Sequence, residues 1–84
     1  MSHTPHQLVD EFPEDGELLR HLKASNAHFA TLVERYNEVN EGIYRIEAEL
    51  EPASDDYAEE LKRQRLALLD EIGSIITQER SKVA

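Results

Sequence analysis

The side chains able to do chemistry in this 84-residue chain are four histidines, a large surplus of carboxylates and a few serines. His3 and His6 are near neighbours, but a stable metal site needs a third ligand and an ordered frame. Both sit in a polar stretch around Pro5 and read as solvated residues. His21 and His28 lie seven apart across a break at Ser25-Asn26, and His28 flanks Phe29 at a helix start. The Glu-x-x-His pairs that bind metals inside helical bundles do not occur. Paired carboxylates need a cleft to shift their pKa values, and so short a helical chain has no room for one. The serines have no arranged base, and the three glycines are isolated, which excludes a phosphate-cradling loop. Cysteine is absent, so thiolate nucleophiles, thiolate metal sites and disulfides are excluded. The expectation is no catalytic residue, no cofactor, no metal and no enzyme activity.

Charge narrows the partners. Eighteen acids against nine bases give a net charge of −9, which repels phosphate backbones and anionic membrane surfaces. The one local basic cluster is Lys62, Arg63 and Arg65, with Glu59 and Glu60 one turn before it. Nucleic-acid binding is therefore disfavoured. No apolar run approaches the roughly 18 residues of a membrane span. Met1 to Glu11 has neither a basic nor a hydrophobic leader segment. A soluble cytoplasmic protein is expected.

The elements follow from the periodicity of apolar residues. Phe29, Leu32, Tyr36, Val39, Ile43, Ile46 and Leu50 alternate spacings of three and four, which places all seven on one stripe of a long helix. Ser25 or Asn26 supplies its N-cap and Pro52 ends it, predicting a helix over about 26–51. Glu41 and Arg45 form an i,i+4 pair on it. Ser54 caps a second long helix, about 55–78, with Asp55 and Asp56 at the positive end of its dipole. The short connection makes the two helices antiparallel neighbours. Before them, Phe12-Pro13-Glu14 reads as the start of a short helix, about 14–23, with Leu18, Leu19 and Leu22 on one face and Gly16 weakening it. Residues 1–11 read as a flexible tail and 80–84 as a frayed end, leaving one domain over 12–79.

The seam of the second long helix holds Leu61, Leu68, Ile72 and Ile75. Arg65 interrupts it opposite Val39 and Asn40. Either a polar layer of Asn40 with Gln64 or Arg65 fixes the register, or Arg65 snorkels to solvent. A second apolar row, Leu66, Leu69 and Ile76 with Gly73 completing the spacing, is too much for one partner helix. Leu18, Leu19 and Leu22 fold back to cover it, or a second copy does so and makes a four-helix bundle. The fold class expected is all-α: an antiparallel, coiled-coil-like helical hairpin with a short leading helix. An isolated two-helix hairpin of this size is marginal, which favours a homodimer or higher assembly.

The ordered set Phe12-Pro13-Glu14, Leu18-Leu19, Leu22-Lys23, Asn26-Ala27-His28-Phe29 and Leu32 resembles the start of small bacterial YdcH-like proteins. Asn37-Glu38-Val39, Ile43, Arg45-Ile46-Glu47, Ser54-Asp55-Asp56, Leu61-Lys62, Gln64-Arg65-Leu66, Leu68 and Asp70-Glu71-Ile72 continue the similarity to Ile76. The resemblance implies a short helical hairpin of unassigned function with no catalytic residue to carry over. Asp15-Gly16 departs from the better helix formers usual there, and Ala27 stands where relatives often have proline.

The functional expectation is a non-catalytic module that binds itself or another protein through Leu18, Leu19, Leu22, Leu66, Leu69 and Ile76. The alternative is regulatory binding of nucleic acid or a basic protein through Lys62, Arg63 and Arg65 or through the acidic face.

Overall fold

A computed structural model of the chain describes residues 5–83. Among the described residues the fold is all-helical: α1 Leu8–Glu11, α2 Gly16–Ser25, α3 Ala27–Glu47 and α4 Asp55–Val83. α3 packs on α4 and α2 packs on α3. Gly42 of α3 meets Leu61 of α4, Asn40 meets Arg65, and His28 meets Glu71, so position along one helix falls as position along the other rises.

The two long helices start where their caps dictate. The Asn26 side chain accepts a hydrogen bond from the Phe29 amide at 3.0 Å, satisfying one of the free donors of the first turn. Ser54 Oγ does the same for Tyr57 at 3.1 Å, with Asp55 and Asp56 in the first turn as expected.

The end of α3 differs from expectation. It stops at Glu47, five residues before Pro52. Glu49 takes a left-handed conformation with φ of 60°. The Glu49 amide donates to Ile46 O and the Leu50 amide to Arg45 O, at 3.1 and 2.8 Å. This pair of bonds is a Schellman motif, with glutamate where glycine is usual. Leu50 is thereby carried off the stripe and is 69 % exposed. Backbone closure ends the helix before proline can.

The leading segment also differs. Phe12 closes α1 rather than opening a helix, and Pro13 lies in the turn between α1 and α2. α2 begins at Gly16, so the glycine takes a first-turn position where its helix penalty is small, and it extends to Ser25. Residues 5–11, expected as a flexible tail, join the domain: Leu8 is buried in the core. Residues 1–4, with His3, lie outside the described residues. At the other end, α4 continues through the segment expected to fray.

The core gathers Leu8, Leu19, Leu22, Phe29, Leu32, Val33, Tyr36, Ile72 and Ile76, with Phe12, Leu18, Leu68, Leu69 and Ile75 packed against it. It sits where α1 and α2 lie over the start of α3 and the end of α4. Ile43 is buried further along α3, towards the connection.

Candidate interaction surface

Three polar contacts fix how the elements meet. The first is in the seam. Asn40, only 4 % exposed, accepts a hydrogen bond from Arg65 Nη1 at 3.1 Å through its Oδ1. Of the two arrangements open to Arg65, the polar layer with Asn40 is the one formed. A buried amide oxygen satisfied by one guanidinium sets register, because sliding either helix would strand it.

The second contact docks residues 5–12. Asn40 Nδ2 donates to the Pro5 carbonyl at 2.8 Å, and the Tyr36 hydroxyl donates to the His6 carbonyl. Tyr36 is fully buried, and burial, helped by the Glu11 carboxylate, pushes its phenol above the ordinary tyrosine value. His6 is left-handed with φ of 63°, which turns its carbonyl and that of Pro5 towards α3. Leu8 enters the core, and the Phe12 ring lies over Gly73, 3.5 Å from where a Cβ would stand. The gap at Gly73 in the second row of α4 is therefore a seat for an aromatic ring. The sequence carries that signal only as a missing side chain and a lone phenylalanine 61 positions apart.

The third contact joins the two ends of the core. Arg80 Nε donates to Asp15 Oδ1 at 3.0 Å, and Nη2 donates to Oδ2. These bonds, with the guanidinium charge, hold the Asp15 carboxyl below its usual range and raise Arg80 further. Asp15 makes no side-chain cap to α2 and serves as the anchor of Arg80 instead.

The residues expected to form an interaction face divide. Leu19, Leu22 and Ile76 are buried in the chain's own core, with Ile76 at 0 % exposure. Leu18 and Leu69 are half-buried against that core. Leu66 alone of the six is open, at 60 %. Intramolecular cover by α2 and Phe12 thus takes most of the second row.

The cations of the basic cluster are each engaged within the chain. Lys62 Nζ stands 3.7 Å from Glu47 and 4.0 Å from Glu59, Arg63 bonds Glu60 at 3.2 Å, and Arg65 is taken by Asn40. Glu60, held by Gln64 and Arg63, has its carboxyl below the usual range. His28 reaches Glu71 at 3.2 Å, and Arg45 reaches Glu41 and Glu51 at 3.9 and 3.3 Å. Among the described residues no group of three or more His, Cys, Asp or Glu is placed to hold a metal ion, and no helix is long and apolar enough to cross a membrane.

The body measures 45 × 28 × 18 Å. Its thin direction is less than two helix diameters of about 10–12 Å. The surface carries hollows open to solvent, among them one beside α2 lined by Glu14, Asp15, Glu17, His21 and Arg80. Another, between α3 and α4, is lined by Arg35, Glu38, Val39, Gln64, Ala67 and Leu68. None of these residues forms a nucleophile–base pair.

Comparison with known proteins places this architecture. Residues 29–76, covering most of α3, the connection and much of α4, match the family described as "Protein of unknown function (DUF465)". The chain belongs to that family. It is similar to the uncharacterized protein YdcH of Escherichia coli (strain K12), 32 % identical over 71 residues, which cover 84 % of this chain and 96 % of the relative. The uncharacterized protein YdcH of Shigella flexneri matches with the same identity and coverage. No solved structure matches. The YdcH-like resemblance read from the sequence is thus shown, and the family adds no catalytic assignment.

Proposed function

We propose that this YdcH-like chain is a small acidic interaction module without catalytic activity, an antiparallel helical hairpin that acts in the cytoplasm. It binds a second copy of itself as a homodimer, or another protein, through the open end of the second apolar row of α4. The observation that supports this reading is Leu66. It is a large apolar side chain left 60 % exposed on a row whose other members are covered. Leu69, one turn on and half-buried, forms the rim of the same patch. Leu19, Leu22 and Ile76 are buried in the chain's own core and are not contact residues.

The absence of catalysis in the proposal is supported by Asp15, the one buried carboxylate among the described residues, having both its oxygens held by Arg80. Binding of nucleic acid through Lys62, Arg63 and Arg65 has less support, because each cation already has a partner. The test is Leu66→Asp, compared with the parent by light scattering after size exclusion. Because Leu66 is exposed, helicity and Tm should stay near those of the parent while association is lost. Unchanged association in a folded Leu66→Asp variant would contradict the proposed face.

A further inference from the structure

We propose that the connection between α3 and α4 is a docking site for a basic amphipathic segment of another protein, one that carries lysine or arginine beside large apolar side chains. The site lies at the end of the hairpin away from the packed core. It is separate from Leu66, which stands about 13 Å further along α4 than Tyr57.

Charge is unevenly distributed along the chain. Residues 46–60 hold seven of the eighteen acids and no lysine, arginine or histidine, so most of the net charge of −9 arises there. Cations reach in from either side: Arg45 to Glu51 at 3.3 Å, Lys62 to Glu47 at 3.7 Å and Arg63 to Glu60 at 3.2 Å. Among the described residues no ion pair engages Glu49, Asp55 or Asp56. Asp55 and Asp56 complement the α4 dipole and still present their charge to solvent.

The same turn exposes apolar side chains. Leu50 is 69 % exposed and Tyr57 52 %. Pro52 and Ala53, also exposed, line a hollow with the half-buried Ile46, beside Glu49 and Glu51. Leu50 is held in place, because its amide and that of Glu51 both donate to Arg45 O, at 2.8 and 3.2 Å, after the left-handed Glu49. A backbone fixed in this way presents its apolar group with little further ordering on binding.

The chemistry of the turn selects its occupant. Its negative field repels phosphate backbones and anionic membranes. Its carboxylates do not converge, since among the described residues no group of three or more is placed to hold a metal ion. Dispersed carboxylates around exposed apolar groups match a segment that carries cations and apolar side chains together. The charges then steer the encounter and the apolar contact supplies the affinity.

The test is titration of the full chain with a synthetic helical peptide made only of leucine and lysine, its leucines on one face, followed by NMR. Shifts should concentrate in residues 46–60, and affinity should fall as salt rises. Leu50→Ser with Tyr57→Ser should weaken binding about tenfold through lost apolar burial, with Tm near that of the parent because both side chains are exposed. Glu49→Gln with Asp55→Asn and Asp56→Asn should weaken it and flatten the salt dependence. Leu66→Ser should bind the peptide as the parent does, which separates this site from the association face. Binding unchanged in the Leu50 and Tyr57 double variant would overturn the site, as would equal binding of a peptide with serine in place of leucine, because charge alone would then account for it. No binding, or shifts centred on Leu66, would overturn it too. Loss of self-association in the double variant would assign the turn to a second copy and overturn the basic segment as its occupant.

Discussion

Arg80, in the last turns of α4, grips the Asp15 carboxylate that immediately precedes α2, with both carboxylate oxygens engaged across 65 positions of sequence. The pair ties the start of the leading helix to the end of the last one. Asp15 is nearly buried while Arg80 remains half in solvent, so the bond geometry matters more than the Coulomb attraction. The Asp15 carboxyl is lowered in the fold, so its contribution to stability is present above the unfolded carboxylate range and lost as pH falls through the folded value. Asp15→Asn should lower Tm at neutral pH. The difference from the parent should shrink on acidification, read by circular dichroism from pH 7 down to pH 2. A Tm difference that is the same at both ends would show that the carboxylate charge is not involved.

Glu49 holds a left-handed backbone that glycine adopts without steric cost. Glu49→Gly should stabilise the chain by about 0.5–1 kcal/mol, seen as a rise in Tm, because it keeps both closing bonds to Arg45 and Ile46. A fall in Tm would mean that the turn is not left-handed in solution.

Gly73 discriminates by size. A methyl group there would make ordinary contact with the Phe12 ring, at 3.5 Å. Gly73→Ala should therefore gain about 0.5–1 kcal/mol of helix propensity. Gly73→Leu should displace Phe12, lowering Tm and raising hydrogen exchange at the α1 amides. If alanine and leucine behave alike, the ring does not sit there.

Ile76 and Leu50 form a further contrast. Ile76→Ala removes methyl groups from a fully buried site and should cost about 2–5 kcal/mol in urea denaturation, whereas Leu50→Ala should fall within about 0.5 kcal/mol of the parent. A large loss at Leu50 would return it to the stripe and place the end of α3 nearer Pro52.

These residues also show what was legible in advance. The α3 stripe up to Ile46 and the Asn26 and Ser54 caps follow from local spacing, because helix periodicity and capping act over three or four residues, whereas the meeting of Asn40 with Arg65 is one of two arrangements the sequence allows. The end of α3 was misplaced because proline is visible in a sequence, whereas a glutamate adopting a glycine conformation is not. The 5–12 segment carried no periodic signal, since α1 has four residues and the polar recognition uses carbonyls that every residue possesses. Of the candidate face, the apolar character of all six residues was legible. Which of them the chain would bury in itself depended on where Phe12 and α2 came to rest.

Self-association through the open second row of α4 is the property on which the proposed dimer depends. Sedimentation equilibrium of the unmodified chain at micromolar concentrations tests it most directly. A concentration-dependent mass rising towards that of a dimer is expected. A stable, fully helical monomer across that range would contradict it.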